Sequence, residues 1–265
     1  MFLVLFFSTG CQKVFDTSHQ FRVGMECAYA PFNWTQYTDA NGAVRIEGGG
    51  EFAGGYDVEV AKILAEKMGK ELVIVKNDWD GLLPALTSGK IDAILAGMTA
   101  TEVRRHTIDF THPYYTSDIV VVVAKDGKYA NAKSILDFSG ARITGQLATV
   151  HYGIIDQMKG VIKFPAKEDF ASMVIGVSSG EIDGYISEFP GATSAVYTNS
   201  HLTYVEFKES NGFNLTEEER SISIGLKKND PLKYEIDKIL SAISSEQRDN
   251  LMEKAIKQQP LASIT

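Results

Sequence analysis

Residues 78–118, DWDGLLPALTSGKIDAILAGMTATEVRRHTIDFTHPYYTSD, predict a helix, a short strand, the start of a second helix and a polar, aromatic loop. Asp80 is a suitable N-cap for the first helix, and Pro84 falls in its first turn, where proline removes no intrahelical hydrogen bond. Gly89 is expected to end this helix, and Ile91–Ala96 has the pattern of a short apolar strand. The stretch therefore predicts one helix–strand unit of an α/β sheet.

Three polar or small residues follow the carboxyl end of that strand, namely Gly97, Thr99 and Arg104. Open α/β sheets bind their ligands at this end, and the N-terminus of the next helix favours an anion. Thr99 and Arg104 are therefore predicted to lie where a small anion binds. Thr99 also fits a capping box as the N-cap of the next helix, but Thr101 can cap that helix instead and leave Thr99 free for a ligand.

The pattern at the centre of this stretch occurs a second time. Residues 179–184, SGEIDG, repeat residues 88–93, SGKIDA, and each copy follows a helix-like segment and opens an apolar strand. The repeat suggests two similar lobes, although a repeat this short can arise by chance. The first copy leads to Gly97 and the second to Glu188. If the lobes face each other, Arg104 and Glu188 close on one cleft, where a cation and an anion suit a zwitterion.

Composition excludes several classes of function. The chain has 265 residues, a net charge of −8 and a pI near 5.2, which argues against nucleic acid because that partner requires a basic surface. The five histidines lack metal-ligand spacing and no Gly-x-Ser-x-Gly motif is present, so no metal, cofactor or catalytic nucleophile is predicted. The glycine-rich residues 37–55 lack the Lys-Ser/Thr of a phosphate loop and are predicted to form a solvent-facing hairpin.

The N-terminus is an apolar run that ends in Ser-Thr-Gly-Cys. Small residues before Cys11 resemble the lipobox of a bacterial lipoprotein signal, in which the cysteine becomes the lipidated first residue of the mature chain. This predicts residues 1–20 to be signal and tether, and an extracytoplasmic protein anchored through Cys11 to the outer face of the cytoplasmic membrane. A periplasmic protein or a short non-specific apolar tail is the alternative, since the apolar run is short and no basic residue precedes it. Cys27 would then be a lone buried thiol.

Strand-like and helix-like segments alternate along the rest of the chain, which predicts a mostly parallel α/β sheet in each lobe. Ile119–Ala124 and Ser221–Leu226 are extended apolar segments. They are predicted to be the two strands that cross between the lobes.

Several phrases, taken in this order and spacing, resemble one protein family. They are APF (30–32), GYDV (55–58), DWDGLLPAL (78–86), SGKIDAI (88–94), AGMT (96–99) before Arg104, DFT (109–111) before PYY (113–115), GQ (145–146), SGEID (179–183) and GLKK (225–228). From about Phe21 to the last helix, the chain is similar to the extracellular substrate-binding proteins of ABC-type amino-acid importers. The resemblance implies a two-lobe, type II periplasmic-binding-protein-like α/β fold with two crossing strands, which closes on its ligand like a hinge.

The resemblance also implies lobe limits and a function. Lobe one would be residues 21–118 plus 227–260, and lobe two residues 119–226. The implied function is a non-enzymatic receptor that captures a free L-amino acid and delivers it to ABC permease subunits. Two alternatives remain, namely an enzyme on the same fold, such as a cyclohexadienyl-type dehydratase with Glu188 or His112 as the acid, and a ligand-sensing domain.

In the family, a set of residues binds the backbone of the amino acid. Arg104 is expected to bind the α-carboxylate with two charge-assisted hydrogen bonds. Thr99 is expected to offer its hydroxyl, and Gly97 its backbone carbonyl, to the ligand. Glu188 stands where the family usually has Asp and is expected to hold the α-ammonium.

Other positions correspond to the remaining parts of the family's pocket. Thr149 opens a helix that faces the cleft, where backbone donors meet the carboxylate, although Ala148 replaces the glycine that the family often has. Tyr29 and Trp79 resemble an aromatic pair that sandwiches the ligand side chain, with ordinary core aromatics as the alternative. Glu26 matches a carboxylate at the side-chain end of the pocket, which favours arginine, lysine, histidine or glutamine.

Overall fold

The computed structural model describes residues 19–208 and 210–260. Cys11 and most of the predicted signal and tether lie outside the described residues. Within these ranges the strands, in chain order, are β1 (Gln20–Met25), β2 (Ala28–Tyr29), β3 (Asn33–Gln36), β4 (Val44–Arg45), β5 (Phe52–Gly54), β6 (Glu71–Lys76), β7 (Ala93–Ile94), β8 (Asp109–Thr116), β9 (Ile119–Ala124), β10 (Arg142–Thr144), β11 (Ile162–Lys163), β12 (Gly184–Glu188), β13 (Leu202–Val205) and β14 (Ser221–Leu226). The α-helices are α1 (Tyr56–Met68), α2 (Leu82–Ser88), α3 (Glu102–Arg105), α4 (Val150–Gly153), α5 (Phe170–Ser178), α6 (Phe189–Thr198), α7 (Leu232–Ser241) and α8 (Ser245–Gln258).

Two five-stranded sheets form the two lobes of the predicted fold. The sheet of lobe one has the order β6-β1-β7-β14-β8, and the sheet of lobe two has the order β11-β10-β12-β9-β13. In each sheet two neighbouring pairs are parallel and two are antiparallel, so the sheets are mixed rather than mostly parallel as predicted. The antiparallel pairs involve β9 and β14, which enter their sheets straight from the other lobe without the helical crossover that parallel pairing needs.

The chain passes between the lobes at two neighbouring segments. The backbone N–H of Ser117 donates to the carbonyl of Arg220 at 3.1 Å, and the Arg220 guanidinium binds the Asp118 carboxylate at 3.0 Å. From these segments β9 joins the second sheet, whereas β14 joins the first. Residues 221–226, which were expected in lobe two, therefore pair with lobe one.

Strand β9 shows why an unbroken apolar run forms a central strand. Val121 and Val123 belong to the core on one face of the second sheet, and Val120 and Val122 to the core on the other face. Successive side chains of a strand point to opposite faces, and helices cover both faces of this type of sheet. Apolar residues are therefore needed at every position.

The two copies of the sequence repeat occupy equivalent places in the two lobes. Asp92 accepts a hydrogen bond from the backbone N–H of Arg22 at 2.9 Å, and Asp183 accepts one from the backbone N–H of Arg142 at 2.8 Å. In return, the backbone N–H of each aspartate donates to the carbonyl of the same arginine. The repeat is therefore a structural unit that attaches a helix–strand connection to β1 in lobe one and to β10 in lobe two.

Some local expectations are wrong. Helix α2 begins after a 3-10 turn, Trp79–Gly81, and its N-cap is Gly81, not Asp80. Asp80 lies inside this tight turn and therefore does not directly precede the first helical residue, as an N-cap does. Pro84 is in the first turn of α2 and Gly89 ends it, as predicted. The strand expected over residues 91–96 pairs only at Ala93–Ile94.

The predictions for two further segments have different outcomes. The glycine-rich residues 37–55 contain strands β4 and β5, which pair as an antiparallel hairpin with an exposed connection, so the predicted hairpin is confirmed. The helix that Thr149 was expected to open is only the four-residue α4, which a 3-10 turn, Ile154–Gln157, follows. None of the helices in the described ranges combines the length and apolar character needed to cross a bilayer.

Candidate functional site

A small cavity lies between the two lobes at the carboxyl ends of their central strands. Its volume is about 20 Å³, which leaves room for about one water molecule. Six of the eight predicted ligand-binding residues line it, and Glu26 and Glu188 do not. The lining residues are Tyr29, Trp79, Ala96, Gly97, Thr99, Arg104, Gln146, Thr149, Val150, His151 and Phe170.

Arg104 connects the two lobes across this cavity. Helix α3 carries it, and the hydroxyl of Thr101 caps this helix by accepting from the Arg104 backbone N–H, so Thr101 is the cap, as predicted. The guanidinium donates to the carbonyl of Thr99 at 2.7 Å and to the carbonyl of Ala148 at 3.0 Å. It also lies 5.0 Å from the ring centroid of Trp79. Burial lowers the pKa of Arg104 to about 10, so the group remains charged at neutral pH.

Gly97 is placed by a buried network behind the cavity. Its φ of 58° is in the left-handed region, and a Cβ there would lie 2.8 Å from the Tyr29 ring, so both backbone and space require glycine. Its N–H donates to the Tyr114 hydroxyl at 3.3 Å, and that hydroxyl donates to Asp57 at 2.6 Å. The network fixes the loop that carries Gly97 and Thr99.

Tyr29 and Trp79 both line the cavity, and each ring has a different partner. The Tyr29 ring stacks on Phe170, which opens α5 in lobe two, with centroids 4.1 Å apart and 16° between the planes. Trp79 lies under the Arg104 guanidinium instead. Among the described residues the buried Tyr29 hydroxyl has no hydrogen-bond partner.

A buried carboxylate from lobe one meets an amide from lobe two beside the cavity. The Gln146 amide donates to Oε1 of Glu26 at 3.0 Å and to the carbonyl of Glu168 at 3.0 Å. Burial raises the pKa of Glu26 to about 7, although the Gln146 hydrogen bond opposes this shift and nearby Asp169 adds to it. Oε2 of Glu26 is buried and has no partner among the described groups. The amide of Gln146, rather than Glu26 itself, lines the cavity.

Glu188 ends β12 and lies behind a histidine. Its Oε2 is 3.3 Å from Nε2 of His151, and only 6% of its side chain is exposed. Burial raises the pKa of Glu188 to about 8, and burial together with nearby Arg104 lowers the pKa of His151 to about 4. Both shifts favour the neutral forms, so the short distance alone does not make an ion pair.

Thr149 and Ala148 bring the second lobe to the guanidinium. The Thr149 hydroxyl donates to the carbonyl of Gln146 at 2.7 Å, and Thr149 is the N-cap residue of α4 without a side-chain cap bond. Ala148 has a φ of 57°, which glycine adopts at lower cost.

Several lining residues were not predicted, namely Ala96, Gln146, Val150, His151 and Phe170. Gln146 was in a recognised phrase, but its side chain had no assigned role. His151 and Phe170 carry no local signal, because one is an isolated histidine and the other has the pattern of a core aromatic. Phe189 packs edge-on against Tyr204, with 5.5 Å between ring centroids. Within residues 19–208 and 210–260, no group of three or more His, Cys, Asp or Glu side chains could hold a metal ion.

Sequence comparison identifies relatives along most of the chain. The family described as bacterial extracellular solute-binding proteins, family 3, matches residues 21–258. A probable histidine-binding protein of Campylobacter jejuni is 30% identical over 200 residues, which are 75% of this chain and 72% of that protein. ABC transporter arginine-binding protein 1 of Escherichia coli is 30% identical over 148 residues, or 56% of this chain and 59% of the relative.

Solved structures with the same fold cover nearly the whole described chain. An amino-acid ABC transporter substrate-binding protein of Streptococcus pneumoniae, bound to L-arginine, has a TM-score of 0.77 at 25% identity, over 91% of this chain and 95% of that one. An ancestral amino-acid-binding protein, a precursor of cyclohexadienyl dehydratase, has a TM-score of 0.72 at 27% identity, over 90% and 96%. The two-lobe fold predicted from the sequence is confirmed.

Proposed function

This chain belongs to family 3 of the bacterial extracellular solute-binding proteins, and we propose that it captures a free L-amino acid and delivers it to the permease subunits of an ABC importer. The single observation that carries the proposal is the cavity at which Arg104 of lobe one meets the backbone of lobe two at Ala148. A guanidinium that joins both lobes suits a ligand whose binding closes them.

The ligand's α-carboxylate would bind Arg104. The guanidinium now donates to two neutral carbonyls, and a carboxylate accepts stronger, charge-assisted hydrogen bonds. Thr99 and Thr149 line the same part of the cavity and would add hydroxyl and backbone donors. The α-ammonium would lie on the side of Glu188.

The side chain of the ligand would lie towards Glu26 and the rings of Tyr29, Phe170 and Trp79. Oε2 of Glu26 is a buried acceptor without a partner among the described groups, so a cationic or amide group would satisfy it. The flat aromatic faces favour a planar or cationic side chain. Arginine, lysine, histidine or glutamine is therefore the proposed ligand, and the relatives described above include proteins named for histidine and arginine.

We propose further that the protein is not an enzyme and that lipid on Cys11 anchors it to the outer face of the cytoplasmic membrane. The relatives described above are named as binding proteins, although one structural neighbour is a dehydratase precursor. Turnover of prephenate or arogenate would contradict the first proposal. For the second, Cys11→Ser should release the protein from the membrane fraction, and unchanged membrane association would contradict anchoring.

Isothermal titration with the twenty amino acids tests the function. We expect one or more of the four named ligands to bind, and Arg104→Ala to weaken binding by about a hundredfold or more, because it leaves a buried carboxylate unpaired. Arg105→Ala is the matched control, since Arg105 is the next residue of α3 but is exposed and bound to Glu218. Equal affinity of Arg104→Ala and the unmutated protein would show that the carboxylate is bound elsewhere.

A further inference from the structure

His151 occupies the place between Glu188 and the cavity. It lines the cavity, whereas Glu188 does not, and its Nε2 is 3.3 Å from Oε2 of that glutamate. The ring of Phe170 meets the imidazole edge to face, with 6.2 Å between centroids, and limits its orientation. A group that binds in the cavity therefore reaches His151 before it reaches Glu188.

Two polar atoms of this pair lack a hydrogen-bond partner. Nδ1 of His151 and Oε2 of Glu188 are both buried, and no described group completes a hydrogen bond with either. Unsatisfied polar atoms in the interior are destabilising, so a ligand that supplies N–H groups is favoured at this point. An ammonium group, which has three donors and no acceptor, has the required chemistry.

The tautomer of the imidazole follows from its neighbour. Burial and the charge of Arg104 lower the pKa of His151 to about 4, so the ring is neutral at physiological pH and has one N–H and one acceptor nitrogen. The ammonium group of a ligand bound in the cavity would favour the ionised form of Glu188. In the structure the two atoms are only in contact, at 3.3 Å, and a small shift of the imidazole into a hydrogen bond with the ionised carboxylate would make Nε2 the donor and leave Nδ1 as the acceptor.

We propose that His151 is a ligand-binding residue, whose Nδ1 accepts a hydrogen bond from the ligand's α-ammonium while Glu188 orients the ring and supplies the negative charge. The inference rests on the proposed function and adds a residue to the ammonium site that carries specificity for α-amino acids. Ligands that resemble amino acids but have a hydroxyl at the α-carbon should therefore bind more weakly.

Two substitutions of His151 separate its two nitrogens. In His151→Asn the side-chain oxygen can take the place of Nδ1, whereas in His151→Gln the longer amide reaches the place of Nε2 and contacts Glu188. We expect His151→Gln to weaken binding of L-arginine, or of whichever other amino acid binds more tightly, by about tenfold to a hundredfold, and His151→Asn by about threefold or less. Melting temperatures measured without ligand test whether both variants are folded.

A second measurement uses the 2-hydroxy acid analogue of the same amino acid. The unmutated protein should discriminate strongly against the analogue, whose hydroxyl supplies one donor and no charge, and His151→Gln should lose the part of that discrimination that depends on Nδ1. If His151→Gln binds amino acid and analogue like the unmutated protein, His151 does not bind the ammonium, while the amino-acid function stands. If the unmutated protein binds none of the twenty amino acids, the proposed function itself is wrong, and this inference with it.

Discussion

Asp57 is a fully buried carboxylate that supports the cavity without lining it. It accepts from the Tyr114 hydroxyl at 2.6 Å and from the Asn33 amide at 2.8 Å. The Tyr114 hydroxyl in turn accepts from the backbone N–H of Gly97, which has positive φ. In its ionised form Asp57 accepts on both oxygens, and through these neighbours it holds the loop that carries Gly97.

Asp57→Asn should therefore destabilise the protein. The amide replaces one acceptor oxygen with a donor, which then faces either Tyr114 or Asn33, so a buried group is left unsatisfied. We expect the free energy of unfolding to fall by about 1–3 kcal/mol and ligand affinity to fall with it. Glu66→Gln makes the same chemical change at an exposed position of the same helix and should be neutral. Urea unfolding of the three proteins measures the difference, and equal stability of all three would contradict the role of the network.

The same residue predicts a dependence of stability on pH. Burial raises the pKa of Asp57 from 3.8 to about 6, which outweighs its hydrogen bonds. The folded protein therefore takes up a proton at a pH where the unfolded chain does not, and the cost of burying the charge is relieved as pH falls from about 6 to about 4. The free energy of unfolding of the unmutated protein should rise relative to Asp57→Asn over this range, by at most about 3 kcal/mol. A constant difference between the two proteins from about pH 7 to about pH 4 would show that Asp57 does not titrate in this way.

Local sequence patterns predicted some residues of the cavity and missed others, because the missed residues reach the cavity only through contacts between the lobes. Arg104 and Thr99 were found because the carboxyl end of a strand is a general binding place, and that rule needs only local sequence. Phe170 and His151 enter the cavity because the second lobe packs against Tyr29 and brings Glu188 behind the histidine. Such contacts join residues distant in the chain, which no local pattern records.

At the scale of elements, the same type of glycine turn precedes a strand in each of the two lobes. Gly89 and Gly180 end equivalent segments with φ of 81° and 74°, and each leads into a strand that pairs in parallel, with β1 in lobe one and with β10 in lobe two. Their repetition was visible in the sequence because the conformation demands glycine. The N-cap at Asp80 was predicted wrongly, since the 3-10 turn before α2 depends on how that segment packs and not on capping propensity alone.

Alanine at two uncrowded glycines isolates the cost of a positive φ. A Cβ on Gly180 would meet no atom within 4 Å, so the only cost of Gly180→Ala is its positive φ, and we expect a loss of about 1–2 kcal/mol in the free energy of unfolding. Gly153 also has open space around it but lies in helical conformation, with φ of −66°. Gly153→Ala should therefore gain about 0.4–1 kcal/mol. Thermal or urea unfolding distinguishes the two, and a loss of equal size in both would contradict the argument from φ.

At the scale of the whole molecule, several contacts hold the two lobes together around the cavity. Arg104 donates to the carbonyl of Ala148, and Tyr29 stacks on Phe170. A cavity of about 20 Å³ does not admit an amino acid, so the lobes must separate for a ligand to enter. The equilibrium between the separated and the joined lobes therefore contributes to the measured affinity. A contact between the lobes can change that affinity even where it does not contact the ligand.

The contact between Ser194 and Gln259 tests this balance. The Ser194 hydroxyl, on α6 of lobe two, donates to the Gln259 side chain at 2.5 Å, just beyond the end of α8, and both residues are buried. Separation of the lobes would break this bond, so Ser194→Ala removes it from the joined form alone. We expect ligand affinity to fall by about twofold to tenfold, the range that follows from the net free energy of one hydrogen bond. Isothermal titration measures this change.

Thr198→Ala is the matched control for Ser194→Ala. Thr198 lies one turn further along the same helix, but its hydroxyl donates only to carbonyls of that helix, at Ser194 and Ala195. Its loss should affect both forms equally and leave the affinity unchanged. If Ser194→Ala and Thr198→Ala bind the ligand alike, the contact at Gln259 persists when the ligand enters, and the lobes separate about a different edge or not at all. Small-angle scattering of the unmutated protein with and without ligand would then decide between these, because a larger radius of gyration without ligand requires separation of the lobes.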